Sequence, residues 1–271
     1  MKRLLILILL SGALLAGGCE SVPEKHTSSF RPGEIPVATR PGAAEISKTR
    51  RLLFNELAPR EEMKLTQAGP SYRRVKRIVG RLSRAAGLGS FSYPVYLADI
   101  GDQVNAFAYQ GNTIIVSTEL VDRLPRDDEL AAVLGHEMAH ILGSHHENEA
   151  AQQTRLAVGV AAVVIGAIAR SEVSSTAGRI AEYATGAIGT GYFVRPYDRG
   201  MEYEADHVGM LLMAKAGYDP EAAIRLWSKA GSVMGSAGAS ENFLSTHPSH
   251  GNRMQRLRNT LPLARRYYRK S

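Results

Sequence analysis

The stretch AAVLGHEMAHILGSHH, residues 131–146, decides how this chain is read. It gathers His136, Glu137, His140, His145 and His146 in a 271-residue sequence that has only eight histidines. His136-Glu137-Met138-Ala139-His140 has the form H-E-x-x-H. Residues four apart on an α-helix share a face, so both imidazoles can reach one ion. Glu137 lies about 100° round the helix from His136, at the edge of that face. It is placed to act on water rather than to ligate. The chemistry needs this division. Neutral imidazoles hold Zn²⁺, an open position admits water, and the metal lowers that water's pKa to about 7. A carboxylate then takes the proton and hands it to the leaving amine. A shuffled chain of this composition would contain the pattern roughly one or two times in a hundred. A third ligand is therefore needed.

The candidates for that ligand are His145, His146, Glu147 and the acidic segment RGMEYEADHVGMLLMAKAG, residues 199–217. Glu202 and Asp206 are four apart and share a helical face, whereas Glu204 lies about 200° away and points elsewhere. Glu202 can ligate while Asp206 accepts a hydrogen bond from the far nitrogen of a ligand histidine. The same spacing also describes a helix with acids on its wet face. His145, five beyond His140, is turned off the metal face and reads as a supporting or packing residue. His146 reads as exposed, and His207 carries no assigned role.

The other segments frame this site. MKRLLILILLSGALLAGGCE has a basic start (Lys2, Arg3) and an uncharged apolar run from Leu4 to Ala16. That run is short for a bilayer span and reads as a secretory segment. The only cysteine, Cys19, follows Ala-Gly-Gly, which resembles the bacterial lipoprotein signal. The resemblance implies removal of residues 1–18 and lipidation of Cys19, and Glu20 after the cysteine points to the outer membrane. Lipidation also accounts for an exported chain with a single thiol. Residues 19–44, rich in Pro, Gly, Ser and Thr, read as a flexible tether, and 45–271 as a single domain. Formal charge is +7, yet no nucleic-acid motif is present and aromatics do not interleave with the basic residues. The positive charge is read as solvated surface.

Apolar spacing predicts helices over 45–68 and 71–87, the latter with many arginines on its wet face. YPVYLAD (93–99), VNAFAYQ (104–110) and NTIIVST (112–118) read as strands, with a turn at Gly111-Asn112. From Pro125 onward the pattern is mainly helical, with Asp127 or Asp128 as cap candidate for the H-E-x-x-H helix and an Asp-Pro start to a helix within 217–232. Leu156–Ala169 is uncharged, and its length and Ala/Gly content fit a buried or hairpin helix better than a membrane span, with a membrane-dipping surface as the minor reading. The fold class is α+β, predominantly helical, with a small β-sheet next to the H-E-x-x-H helix.

Four segments together resemble the HtpX-type and CAAX-prenyl-protease-type zinc metallopeptidases, especially their bacterial periplasmic and mitochondrial Oma-type branch. They are VNAFAYQGNTIIVSTELVD, LAAVLGHEMAHILGSH, YDRGMEYEADHVGMLLMAKAGYDPEAA and FLSTHPSHGNRMQRLR, spread over about residues 70–260. The resemblance implies a zincin-type domain and one zinc ion per chain. It makes Glu202 the third ligand beside His136 and His140, with Asp206 as its partner and Glu137 as base. It also implies that Asn105, Ala106, Phe107 and Ala108 form an edge strand able to bind an extended peptide, although the alternating pattern equally permits a core strand. His247 matches a loop histidine that approaches the metal, either as a fourth ligand that keeps the enzyme latent or as an oxyanion stabiliser. His250 and Arg253 read as structural. The segment before Glu202 departs from the family's frequent Tyr-Ser-Arg, reading Tyr197-Asp198-Arg199.

The reading is a lipid-anchored zinc endopeptidase facing the periplasm from the outer membrane. By resemblance its substrates are misfolded or stalled envelope polypeptides, with envelope assembly factors as candidate partners. The rival is a non-proteolytic assembly factor or chaperone that binds clients with the same fold. A structural zinc protein is disfavoured, because such sites are closed by four ligands and often use cysteine.

Overall fold

The computed structural model describes residue 31, residues 33–145, Tyr197, residues 199–233, Phe243, His247 and residues 252–268. The expected signal segment, Cys19, His146, Glu147, the apolar stretch 156–169 and His250 lie outside the described residues. Among the described residues, no helix is long and apolar enough to cross a membrane.

Helix α1 (Ala43–Leu52) runs through a π turn (Leu53–Leu57) into a short end, Ala58–Arg60. Strand β1 (Lys64–Thr66) follows, then α2 (Gly69–Ala85), β2 (Val95–Asp99), β3 (Ala106–Tyr109) and β4 (Thr113–Ser117). The remaining helices are α3 (Thr118–Arg123), α4 (Asp127–Leu142), α5 (Arg199–Lys215), α6 (Glu221–Ser228), α7 (Ala230–Val233) and α8 (Arg253–Tyr267). The α+β, mainly helical class is as the sequence indicated, and the sheet sits against α4.

The sheet order is β1-β2-β4-β3. β1 and β2 pair antiparallel, β2 and β4 parallel, β3 and β4 antiparallel. The three later strands match the sequence pattern, and Gly111 and Asn112 turn between β3 and β4 with φ of 64° and 54°. β1 is a departure from the helix expected over 45–68. Lys64, Leu65 and Thr66 instead lie opposite Asp99, Ala98 and Leu97. Three residues are too few for period 2 to show against period 3.6, and the open side of β2 supplies the ladder bonds.

Helices cover both faces of the sheet. On one face α2 buries Val75, Ile78, Val79 and Leu82 beside Leu97, Val116, Leu134 and Met138. On the other, Leu53, Leu57, Ala58 and Met63 pack on Tyr96, Ala98, Tyr109 and Ile115. The arginines of α2 are partly occupied. Arg81 donates to the carbonyl of Ala216 just beyond α5, at 2.7 and 3.1 Å, and Arg74 to that of Leu124 at 2.7 Å.

Asp127 and Asp128 do not cap α4, whose N-cap is Arg126. Asp127 is drawn to Arg74 and Arg77, and Asp128 accepts the backbone N–H of Asp219. The Asp-Pro start does serve α6, because Asp219 Oδ1 accepts the N–H of Glu221 at 3.0 Å. Within the expected tether, Gly33 N–H donates to His207 Nε2 and Ala38 N–H to the carbonyl of Ala86.

The contact that places the site is the crossing of α4 and α5. A Cβ at Gly209 would lie 2.9 Å from the backbone carbon of Gly135 and the backbone nitrogen of His136. Only a glycine on each helix lets the backbones approach this closely. His136 follows Gly135 directly, and Asp206 precedes Gly209 by less than one turn. The glycine pair therefore sets the histidines of α4 against the carboxylates of α5.

Candidate metal centre

α4 is apolar on nearly every side, so its polar residues at the far end are carried inside. His136, Glu137 and His140 are at most 2% exposed. α5 contributes Glu202 and Asp206, also buried, and His247 enters as a third element at 0% exposure. His136, His140, Glu202 and His247 each offer a ligand atom, and these atoms lie within 4.8 Å of one another. His140 Nε2 is 3.1 Å from His136 Nε2 and 3.3 Å from Glu202 Oε1. His247 Nδ1 is 2.9 Å from Glu202 Oε1 and 3.2 Å from His136 Nε2.

The far nitrogens face away from the group. His136 Nδ1 lies 3.1 Å from Asp206 Oδ1, and His140 Nδ1 lies 2.9 Å from His145 Nδ1. Glu137 stands beside the group. Its Oε2 accepts the backbone N–H of Ala108 at 3.0 Å, and its Oε1 is 3.4 Å from His247 Nε2. The strand that carries Ala108 is the sheet edge. Asn105 turns its carbonyl to Ser117 of β4, so the N–H groups of Ala106 and Ala108 point away from β4. Ala106 N–H donates to Asn105 Oδ1 at 2.9 Å.

Electrostatics show what the group lacks. Burial pushes the Glu137 carboxyl up to about 7. Burial likewise raises Asp206 to about 6, against the pull of Arg253. For Glu202 burial works upward, but His247 and His136 reverse it and hold the carboxyl well below its usual range. Burial pushes His136 and His140 well below the ordinary histidine value, which keeps them neutral as ligands must be. His247 is pulled down by burial but held up more strongly by Glu202 and Glu137. Among the described residues, Glu137, Glu202 and Asp206 share one buried group with Arg253 and His247, and the upward push on Glu137 is what a carboxyl without a neighbouring cation shows. A divalent cation at the group would favour the ionised form of all three carboxyls. Glu202 Oε2 and His247 Nε2 are buried without a hydrogen-bond partner among the described residues. Two neutral imidazoles and a carboxylate with a third imidazole at hand are a zinc donor set, so the residues fit the ion.

Sequence reasoning missed part of the surrounding shell. Arg253, read as structural, donates to Asp206 Oδ1 at 2.6 Å and to the carbonyl of His247 at 3.3 Å, and approaches Glu202 Oε2 to 3.4 Å. Its guanidinium lies 3.3 Å above the Trp227 ring. It ties the His247 segment to the acidic face of α5. Tyr197 stacks on His140 at 3.8 Å, and Phe243 stacks on His247 at 4.5 Å. An aromatic run does not announce which ring will brace which imidazole, so only the His247–Arg253 spacing held a signal.

Comparison with known proteins agrees with this geometry. A family model described as Peptidase family M48 matches residues 71–261. The mitochondrial metalloendopeptidase OMA1 of Schizosaccharomyces pombe is 31% identical over 191 residues, covering 70% of this chain and 53% of that protein. The metalloendopeptidase OMA1 of Bos taurus is 30% identical over 242 residues, covering 84% of this chain and 46% of that protein. The beta-barrel assembly-enhancing protease of Yersinia pestis is 30% identical over 158 residues, covering 58% and 32%. The chain spans about half the length, or less, of these curated relatives.

Proposed function

Because the chain belongs to peptidase family M48, we propose that it is a zinc-dependent endopeptidase that cuts misfolded or stalled polypeptides of the bacterial cell envelope. One observation carries the chemistry: His136, His140, Glu202 and His247 are buried as one group with Glu137 beside them. His136, His140 and Glu202 hold the ion, and Asp206 orients His136. When bound, zinc supplies a Lewis acid for the scissile carbonyl and lowers the pKa of water. Glu137 takes the proton from the attacking water and returns it to the leaving amine. An extended substrate pairs with the edge strand at Asn105, Ala106, Phe107 and Ala108, which lays its carbonyl beside Glu137. Recognition through backbone groups suits unfolded clients of varied sequence.

The envelope assignment rests on the amino-terminal pattern and on the relatives. The apolar run and Cys19 fit a signal and a lipid anchor at the outer membrane, facing the periplasm. The name of the Yersinia relative, a beta-barrel assembly-enhancing protease, fits a task in envelope assembly.

The test pairs Glu137→Gln with wild type in casein cleavage and in assembly of envelope proteins. Cleavage falls by about 10²–10⁴-fold with zinc retained. A zinc-loaded wild type that never cleaves, with assembly unchanged in the variant, establishes the non-proteolytic assembly factor instead. His247→Ala separates the two roles of that residue in the same assays. Gained activity means latency, lost activity means oxyanion stabilisation, and unchanged activity removes both.

A further inference from the structure

The chain turns sharply where α4 ends. Gly143 closes the helix, with its N–H bonded to the carbonyl of Ala139. Ser144 then adopts φ of 50°, in the left-handed region, which non-glycine residues enter only when the surroundings hold them there. The turn folds His145 back beneath the helix. A Cβ at Gly143 would collide with the His145 imidazole, so the absent side chain is the space the ring occupies. His145 is 0% exposed and Glu204 7%.

A protonation argument follows from the distances. To offer Nε2 to a metal, His140 must carry its proton on Nδ1. That nitrogen is 2.9 Å from His145 Nδ1, which must then accept. An imidazole that accepts at Nδ1 carries its proton on Nε2, and His145 Nε2 is 3.5 Å from Glu204 Oε2. Each ligand histidine of α4 is thus backed by a carboxylate of α5. His136 reaches Asp206 directly, and His140 reaches Glu204 through one intervening imidazole. Glu204 points away from the metal group, yet it faces the rear of that group's second histidine.

We propose that His145 and Glu204 are a positioning pair for His140: the ring-to-ring hydrogen bond fixes the tautomer and orientation of His140 for zinc, and the Glu204 carboxylate, 3.5 Å from His145 Nε2, favours the His145 tautomer that accepts it. This rests on His140 being a ligand, as proposed above. Neither residue touches substrate or the reacting atoms, so the pair acts on metal affinity first.

The experiment uses the full chain. Zinc affinity is measured by competition with a chromophoric chelator, and the Co²⁺-substituted protein gives an absorption spectrum. His145→Ala and Glu204→Gln each weaken zinc binding, within the 10–100-fold typical of such partners, and shift the cobalt bands. The double variant binds no more weakly than His145→Ala alone, because the chain is already broken. His145→Gln, whose amide can accept from His140 and donate to Glu204, recovers most of the affinity. Wild-type affinity in folded Glu204→Gln overturns the pair, and that variant serves even if His145→Ala does not fold. Losses that multiply in the double variant, or a His145→Gln as weak as His145→Ala, also overturn it. A wild type that binds no zinc, or a His140→Ala that binds it fully, fails the metal reading itself.

Discussion

The two ends of α4 handle charge in opposite ways. At its start Asp127 lies 2.7 Å from Arg74 and 2.8 Å from Arg77, with the Asp127 side chain 38% exposed. Glu129, two residues on and itself buried, is met by the half-exposed Lys229 at 2.8 Å. These acids also face the positive end of the helix dipole. At the other end His136, Glu137 and His140 are sealed from water; Arg253 reaches Glu202 and Asp206, and Glu137 faces His247. The wet end is met by Arg and Lys side chains. The dry end sets its carboxyls against histidines and one guanidinium in a place where water cannot compensate. A fold tolerates that only where something from outside restores the balance, and the difference between the ends marks the site without reference to any motif.

The largest effect expected from this comparison is the response to metal. At a free zinc concentration a thousand times the dissociation constant, stability against unfolding rises by about 4 kcal/mol over the chelated protein. Urea titrations with zinc and with a chelator measure it. Identical curves would mean that the dry end is balanced by protonation alone.

Next comes the glycine crossing. Gly209→Ala inserts a methyl group against backbone atoms of α4, which must separate the helices at a cost of about 1–3 kcal/mol. Zinc affinity should fall with stability, since the same separation spreads the ligands. A variant that loses stability but binds zinc as before would uncouple the crossing from the site.

The smallest effect lies at the wet end. Burial works to raise the Asp127 carboxyl, but the hydrogen bonds and charges of Arg74 and Arg77 outweigh it and hold it below the ordinary 3.8. A depressed carboxylate stabilises the fold above its unfolded pKa, and that stability is lost as pH falls through the folded value. Asp127→Asn should therefore cost less than about 1 kcal/mol at neutral pH. The difference from wild type should begin to shrink as pH falls past 3.8 and vanish once the folded carboxyl is protonated, with zinc affinity untouched throughout. Thermal unfolding across pH 2–7 checks both statements.

Legibility in the sequence followed range. His136, Glu137 and His140 were readable because a helix converts spacing directly into facing. Glu202 and Asp206 were readable only as a shared face, since nothing in α5 alone says what the face meets. That meeting is decided by Gly135 and Gly209, two residues without side chains that carry no pattern until they touch. His247 entered through family likeness, and Arg253 was passed over because its partners are 6, 47 and 51 positions away. β1 was lost for a related reason, as a three-residue strand is defined by its neighbour rather than by itself.

The edge strand carries one more consequence. An open sheet edge recruits any extended chain, including another copy of the same enzyme, and so courts fibre growth. Here the two outward N–H groups, those of Ala106 and Ala108, are already held by Asn105 and Glu137. A passing strand meets acceptors but no free donors on this stretch. A chain that pairs there must draw Glu137 off Ala108, and on the proposed mechanism that is the residue that acts on water. The same hydrogen bond removes a donor that a second copy would need to add a strand at this edge.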